Sequence, residues 1–534
     1  MPKTKATLQQ HALSSLLWTS LAIGLLAQWL FIGRPLGISW FIFTLVLLLA
    51  LAWHGRRAGL PINRRNLLLW TALLFFAAMV FLRANPFLTF LNIIATLVLL
   101  AYVAYYFAAG SLSQLSLSGI FYLPLRVTGL SLLNLEPVIG AGLKPLANDQ
   151  QRSRELAPVL RGGALALPIM ILFTALLASA DLVFSAYLRR VIGLDFAAIS
   201  PYMGRGLFIG LVTLFAAGGI GTAVLRGLRQ PQDDESWVEQ MTRHLPLRLS
   251  LGPVESGTIL ALVSGLFLCF VLLQVTYLFG GEANISREGF TYAEYARRGF
   301  LELVLVASLS LALILLLNWL TRRESKRQIK WFNGMSSLLI SLVLLILVTA
   351  FWRMHLYEQA YGYTELRLIV LVFQFWLAIL LLWFVATLWR APERFALGFL
   401  IAAFGFLATL NLVNPDAFIV RHNLQRYRVT GKLDMAYLTG LSPDAVPALV
   451  AAWPDIKEDD QLVSPHYCYE EACQMTMREM LAENLSGRYE MMHERPNWLS
   501  ARSFHLSRYR ASQALSYLCE PQRTSDPKIG CGTS

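Results

Sequence analysis

The chain has 534 residues, of which 56% are hydrophobic and only 15% are charged, and its mean hydropathy is +0.53. Soluble domains carry about 25% charged residues, and a soluble protein with this composition would expose large apolar patches. The composition therefore excludes an ordinary soluble protein and predicts an all-α integral membrane protein. The net charge of +12 does not indicate nucleic-acid binding, because no basic patch alternates with aromatic residues.

Eleven apolar segments approach the roughly 20 helical residues that a bilayer crossing requires. They cover residues 12–32, 36–53, 67–83, 87–108, 164–185, 206–225, 258–279, 300–320, 335–352, 366–388 and 395–413. The sequence thus predicts a polytopic transmembrane helix bundle over residues 1–413, with about 11 spans. The first segment is too long for a signal-peptide core, so we interpret it as a retained anchor.

The segment 115–135 is apolar but is not counted among the spans. Pro124 and Arg126 lie at its middle, and a charged side chain at the centre of a bilayer is costly. Counting it would also place the basic cluster at 322–330 on the outer side of the membrane. We interpret the segment as an interfacial or re-entrant element on the cytoplasmic side, with a twelfth span as the alternative.

The charges of the loops predict the orientation. With the N-terminus in the cytoplasm, the inner loops contain 22 Lys and Arg residues and the outer loops contain 10. Cytoplasmic loops carry the excess of basic residues in membrane proteins, so this orientation is favoured. Eleven spans then place the C-terminal tail, residues 414–534, on the extracytoplasmic side.

The tail is long enough for a small domain of its own, and its signals are helical. Ser442 followed by Pro443 is a typical helix start, and apolar residues recur at helical spacing over 470–485 and 498–518. No alternation typical of strands is present. Two interpretations remain open, a disulfide-stapled helical cap or a module that binds a ligand or a protein partner.

Four of the five cysteines lie in the tail, namely Cys468, Cys473, Cys519 and Cys531. An even number of cysteines in an extracytoplasmic segment predicts two disulfides, although the sequence leaves their pairing open. A zinc site with His466 is a weaker alternative, because the spacing matches no common zinc pattern. The sequence indicates no cofactor.

Ionisable residues in or beside spans are costly in lipid and are therefore candidates for function. Asp181 lies near the outer end of the fifth segment. Glu294, Arg298 and Glu302 follow one another at intervals of four residues and therefore share one helix face, with Arg297 beside them. The alternative is that these charges only snorkel or pair to fix helix packing.

Glu365 and Arg367 form a second outer-face candidate at the start of the tenth segment. A glutamate in the first turn suits the helix dipole, whereas an arginine opposes it. We therefore expect Arg367 to have a carboxylate partner or an anionic ligand.

Common catalytic motifs are absent from the sequence. It contains no P-loop, no GxSxG elbow, no HExxH motif and no kinase signature. Nothing therefore argues positively for an enzyme. An enzyme acting on lipid-linked substrates remains an alternative, with Glu302 or Glu365 as the base and Arg298 or Arg367 holding phosphate.

Five longer motifs carry a family resemblance. They are LQVTYLFGGE (273–282), TYAEYARRGFLEL (291–303), YGYTELRL (361–368), NPDAFIVRHNLQRY (414–427) and GKLDMAYL (431–438). Over about residues 160–450, the chain resembles bacterial multi-pass proteins of the domain-of-unknown-function 4173 type, which is related to 4153. The resemblance implies a bacterial inner-membrane location and many spans, but no reaction, substrate or cofactor. All five motifs fall on the predicted outer face.

Three functions remain open. The first is a sensory or regulatory protein whose outer face and tail detect a small ligand or a protein partner. The second is a transporter or channel, against which the sequence shows no internal repeat and few charges near the middle of the membrane. The third is the enzyme acting on lipid-linked substrates.

Overall fold

The computed structural model describes residues 2–61, 66–108, 110, 112, 115–135, 196–228, 251–279, 300–321, 323–456, 462–463, 475–494 and 500–519. Its N-terminal half contains the helices α1 (Pro2–Phe31), α2 (Ile38–Arg57), α3 (Leu67–Leu82), α4 (Pro86–Tyr105), α5 (Leu117–Leu133) and α6 (Phe196–Leu228). They are followed by α7 (Pro253–Phe279), α8 (Phe300–Leu320), α9 (Lys326–Tyr361), α10 (Glu365–Arg390) and α11 (Phe395–Val413).

Ten of the predicted spans fall on described residues, and each coincides with one of the helices α1–α4 and α6–α11. The predicted span 164–185 lies outside the described residues. Eight helices of the described part, α2, α4 and α6–α11, are long and apolar enough to cross a membrane. Many large apolar side chains on their surfaces are exposed, Trp319 by 73% and Leu262 by 71%. Surfaces of this kind suit contact with the lipid bilayer.

The bundle is tightly packed where small residues meet large ones. Gly24 of α1 leaves no room for a Cβ atom against Thr213 of α6, and Gly405 of α11 lies under the Trp376 ring of α10. Such small residues let two helices approach closely, which is how helices associate in lipid.

Helix α5 corresponds to the apolar segment at 115–135. The Tyr102 hydroxyl donates a hydrogen bond of 2.8 Å to the carbonyl of Ile120, and Arg126 donates one of 3.1 Å to the Tyr105 hydroxyl. Just beyond the other end of α5, Asn134 donates to the Thr222 hydroxyl at 3.1 Å. The whole length of α5 thus contacts the C-terminal parts of α4 and α6. Whether this helix is interfacial, re-entrant or a twelfth span stays a prediction.

The tail consists of short helices. They are α12 (Pro415–Thr430), α13 (Met435–Thr439), α14 (Val446–Ala452), α15 (Met477–Glu494) and α16 (Leu506–Cys519). One expectation was wrong in detail: the helix predicted over 470–485 begins only at Met477. The two residues before it form a strand, Met475–Thr476, which pairs antiparallel with Leu462–Val463.

The tail helices surround an apolar cluster of their own. Val420, Leu438, Leu449, Leu481 and Leu515 are buried in this cluster, and each comes from a different tail helix. Its buried members all lie between Ile419 and Leu518. The division of the chain at residues 413 and 414 remains a proposal, which this separate cluster supports.

The tail covers one end of the bundle, which we call the tail end. It is the end where α3 leads into α4, α9 into α10 and α11 into α12. Near the same end, the backbone N–H of Ile38 donates to the carbonyl of Phe504 at 2.9 Å. The Arg502 guanidinium lies 4.5 Å from the centroid of the Trp29 ring.

Candidate functional site

A short 3₁₀ turn of the tail, Pro443–Ala445, holds the turn between α3 and α4. Ser442 caps this turn as the sequence predicts, because its hydroxyl accepts from the N–H of Asp444 at 3.2 Å. The Asp444 carboxylate in turn accepts the backbone N–H of Ala84 at 2.6 Å and that of Asn85 at 3.2 Å. Buried N–H groups must find an acceptor, so this contact fixes the tail on the bundle.

Asn85 connects the same turn to two further acids. Its Oδ1 accepts from the N–H of Leu88 at 3.2 Å and so caps α4. Its Nδ2 donates to the Asp416 carboxylate at 3.1 Å and also to the Glu365 carboxylate. One amide therefore bridges the first turns of α10 and α12. We call Asn85, Glu365, Asp416 and Asp444 the docking cluster.

Asp416 is fully buried, so neighbouring groups must offset the cost of removing its carboxylate from water. Its carboxylate accepts the N–H of Ser442 at 3.2 Å as well as the Asn85 amide. The nearby Arg488 guanidinium donates to the carbonyls of Thr439 and Leu441 at 2.7 Å each. Burial lowers the pKa of Arg488, while the Asp416 carboxylate acts in the opposite direction. A buried carboxylate is tolerated only with such partners.

The tail brings further titratable groups to the end of α3 and to the start of α10. Burial raises the pKa of the Asp444 carboxyl above its usual value. Burial and the neighbouring Arg508 lower the pKa of His505 to about 3, so its ring is neutral at pH 7. Burial raises the pKa of the Tyr437 hydroxyl, to which the backbone N–H of Glu365 donates at 2.7 Å.

The structure separates the two residues predicted at the start of α10. Glu365 joins the docking cluster. The Arg367 guanidinium lies 4.1 Å from the centroid of the Tyr357 ring and donates to the Gly362 carbonyl. Arg367 makes no ion pair with a carboxylate among the described residues, so its expected carboxylate partner or anionic ligand stays a prediction. Because Glu365 and Arg367 contact different groups, the geometry does not place the two residues in one shared site.

The other predicted site residues are less informative. Glu302 is exposed in the first turn of α8. Asp181, Glu294, Arg297 and Arg298 lie outside the described residues. Cys468, Cys473 and Cys531 also lie outside them, and Cys519 is the last residue of α16. The two disulfides therefore stay a prediction. No group of three metal-binding side chains is present among the residues that the structure describes.

The sequence interpretation missed Asn85, Asp416 and Asp444. One signal was available, because Asn-Pro occurs twice, at 85–86 and at 414–415, and both times it precedes a helix. Proline is favoured in the first turn of a helix. The pattern identifies two helix starts, but nothing local shows that they meet.

A cavity of about 650 Å³ lies beside the docking cluster, between the end of α3 and the tail helices α12, α14 and α16. Four arginines line it, namely Arg83, Arg421, Arg428 and Arg510, together with Asp444 and Asp455. A second cavity of about 560 Å³ lies at the opposite end of the bundle, between the starts of α7 and α9. Arg323, Arg327 and Trp331 are among its lining residues.

The fold and this site define the class of the protein: a multi-pass helical membrane protein with a tail docked on one end of its bundle. A model of the family described as a domain of unknown function, DUF4153, matches residues 70–452. Because the match covers more than half of the chain, the chain belongs to this family. The motifs indicated the related 4173 type, which the match does not show. No curated protein and no solved structure matches the chain. All four residues of the docking cluster lie within the matched range.

Proposed function

We propose that this protein is a sensory or regulatory protein of the bacterial inner membrane. In this proposal the N-terminus is cytoplasmic and the tail is extracytoplasmic, as the loop charges favour. The tail detects a ligand or a protein partner at the tail end and passes its state to the helices below. The absence of common catalytic motifs from the sequence is consistent with this role.

The docking cluster is the observation that carries the proposal. Asp444 of the tail accepts both N–H groups that Ala84 and Asn85 present. Asn85 in turn donates to the acids at the starts of α10 and α12. A ligand that pulls Asp444 off the turn would leave the buried N–H of Asn85 and the half-buried N–H of Ala84 unpaired and would change the position of Asn85. In this proposal, movement of the tail is coupled to α4 and α10, and the docked and released positions of the tail are the two states that a switch requires.

The experiment that tests the proposal is to release the tail with Asp444→Ala in the full chain. Hydrogen exchange in nanodiscs measures the release, and we expect faster exchange over residues 82–88 and 443–456. Transcript profiles of cells carrying this variant are then compared with wild-type cells and with cells lacking the chain. Lys432→Gln is the control, because it also removes one charge from the tail but lies on an exposed residue outside the cluster and the cavity.

A sensor predicts that Asp444→Ala changes the cellular profile at normal protein abundance while Lys432→Gln does not. The role in sensing is wrong if the tail is released, as hydrogen exchange reports, and the profile still matches that of wild-type cells.

Transport is a second candidate, and one observation favours it. Asn92 and Asn411 exchange two amide hydrogen bonds of 2.8 Å below the docking cluster, where both side chains are fully buried. They extend the polar groups of the tail end into the bundle. Proteoliposomes loaded with a pH-sensitive dye test this candidate. Proton flux that Asn92→Leu abolishes would support transport, and flux equal to that of empty liposomes would oppose it.

A further inference from the structure

The cavity beside the docking cluster has an excess of positive charge. Of its two acids, Asp455 is paired with Arg428 at 2.6 Å, and Asp444 is bound by the N–H groups of the α3–α4 turn. The Asp444 carboxylate still attracts Arg83, whereas Arg421 and Arg510 face the cavity without an ion pair to any carboxylate among the described residues.

These arginines come from three different elements. Arg83 follows α3, Arg421 lies on α12 and Arg510 lies on α16. Arg83 donates to the Asn411 carbonyl through Nε at 2.6 Å, which leaves its two Nη groups for other partners. Burial lowers the pKa of Arg83, the Asp444 carboxylate acts in the opposite direction, and charge repulsion from the nearby Arg510 lowers it further. Like charges brought together in this way create a site for an anion.

Arg421 and Arg510 are also available for binding. Neither makes a hydrogen bond or an ion pair with any residue in the described part of the chain. Beside them, the Oδ1 atom of Asn414 is buried without a hydrogen-bond partner among the described residues. That atom can accept a hydrogen bond from a hydroxyl group of a ligand.

Apart from Gln425 and Ser507, the remaining wall of the cavity is apolar. It is formed by Leu82, Ala417, Leu424, Pro443, Pro447, Ala448, Ala451 and Ala452. Its volume of about 650 Å³ falls within the roughly 300–1,000 Å³ of small-molecule sites and exceeds what a free anion of a few atoms requires. The cavity thus combines a cationic side with an apolar side.

We propose that this cavity binds a phosphate ester, with its phosphate held by Arg83, Arg421 and Arg510 and its organic part against α12 and α14. Guanidinium groups bind phosphate oxygens in pairs of parallel hydrogen bonds, so arginine is the residue best suited to this anion. The same chemistry is offered by a phospholipid headgroup and by a soluble phosphate ester. This proposal rests on the sensing role, since it names the class of ligand that the tail would detect.

The test uses the full-length protein in detergent and in nanodiscs. Three probes are compared: phosphatidic acid, its soluble headgroup sn-glycerol 3-phosphate, and inorganic phosphate. Native mass spectrometry and calorimetry measure their binding to the wild type, Arg421→Gln and Arg510→Gln. Lys432→Gln is the control, because it removes the same charge from an exposed position outside the cavity. Both arginines are exposed, so these variants should fold normally, which circular dichroism checks.

We expect each arginine variant to bind at least about tenfold more weakly, the effect of losing one charged hydrogen bond, while Lys432→Gln binds like the wild type. Binding of phosphatidic acid alone assigns the site to a lipid, and binding of glycerol 3-phosphate assigns it to a soluble ester. The proposal is overturned if no phosphate ester binds, if inorganic phosphate binds as tightly as the esters, or if the arginine variants bind unchanged.

The outcome for the cavity is separable from the outcome for the sensing role. Arginine-dependent binding that leaves hydrogen exchange of residues 443–456 unchanged would establish the site and count against sensing. Conversely, a changed transcript profile in Asp444→Ala without binding of any phosphate probe would keep the sensing role and reject this ligand.

Discussion

Asn85 donates its side-chain amide to the carboxylate of Asp416, a residue 331 positions later in the chain. Because Asn85 also caps α4 and Asp416 belongs to the first turn of α12, one hydrogen bond joins the bundle to the tail. The tail is therefore held by groups that are themselves buried and that have few alternative partners. This explains why single substitutions at the tail end should have large and specific effects.

Asn85→Ala is expected to destabilise the protein by more than the loss of a helix cap. Loss of the cap costs about 1 kcal/mol, and the two acids left without the amide cost roughly 1–3 kcal/mol more. Thermal unfolding in detergent measures the effect. The matched control is Ser116→Ala, which removes the N-cap of α5 with no carboxylate attached. Equal losses of stability in the two variants would show that the hydrogen bonds from Asn85 to the two acids do not stabilise the protein.

His505 should make docking of the tail sensitive to acid. Its folded-state pKa of about 3 lies below its ordinary value of 6.5, so the unfolded chain takes up the proton first as the pH falls. The stability that the neutral ring provides is therefore complete above pH 6.5 and is lost toward pH 3, at a total cost of roughly 5 kcal/mol.

Unfolding temperatures between pH 7 and pH 4 measure this loss. His505→Gln should lose less stability than the wild type over this range, whereas His493→Gln, at an exposed histidine, should behave like the wild type. Asp444 acts in the opposite direction, because its raised pKa favours the folded state as the pH falls. Asp444→Asn should therefore steepen the loss in acid. If His505→Gln follows the wild-type curve, the ring is not kept neutral by its surroundings.

Local patterns predict the helices of this protein well, and its docking cluster poorly. Continuous apolar runs identify the bundle helices, and the Ser442–Pro443 pair identifies the turn that carries Asp444. The carboxylate of Asp444, however, accepts a hydrogen bond from Asn85, which lies 359 positions away in the chain. Sequence periodicity does not indicate which loops come into contact. Arg367 shows the same limit, because its conflict with the helix dipole predicts a carboxylate partner or an anion, whereas its contacts are the Tyr357 ring and the Gly362 carbonyl.

The Asn92–Asn411 pair should show strong coupling in a double-mutant cycle. Asn92→Leu leaves the Asn411 amide buried without its partner, which costs about 1–3 kcal/mol. Asn92→Leu combined with Asn411→Leu removes both polar groups, so the double variant should be more stable than the sum of the single losses predicts. Unfolding in mixed micelles provides the free energies. Strictly additive losses would mean that the two amides do not depend on each other.

The four tail cysteines, Cys468, Cys473, Cys519 and Cys531, are expected to form two disulfides. Protein purified without reductant should then react with a maleimide at Cys269, which is free and exposed, and at the tail cysteines only after reduction. Mass spectrometry of tail peptides counts the modified residues. Serine at all four tail positions is the control for non-specific labelling. Full labelling before reduction would reject the disulfides.

The orientation of the chain can be measured at two exposed positions on opposite ends of the bundle. Val429 is 85% exposed in the tail, and Lys330 lies at the start of α9 among basic residues. In a chain whose five native cysteines are replaced by serine, Val429→Cys should react with a membrane-impermeant maleimide in intact cells, because the loop charges place the tail outside. Lys330→Cys should react only after the cells are opened, because basic loops stay in the cytoplasm. The reverse pattern would place the arginine-lined cavity in the cytoplasm and make its phosphate ester a cytoplasmic one.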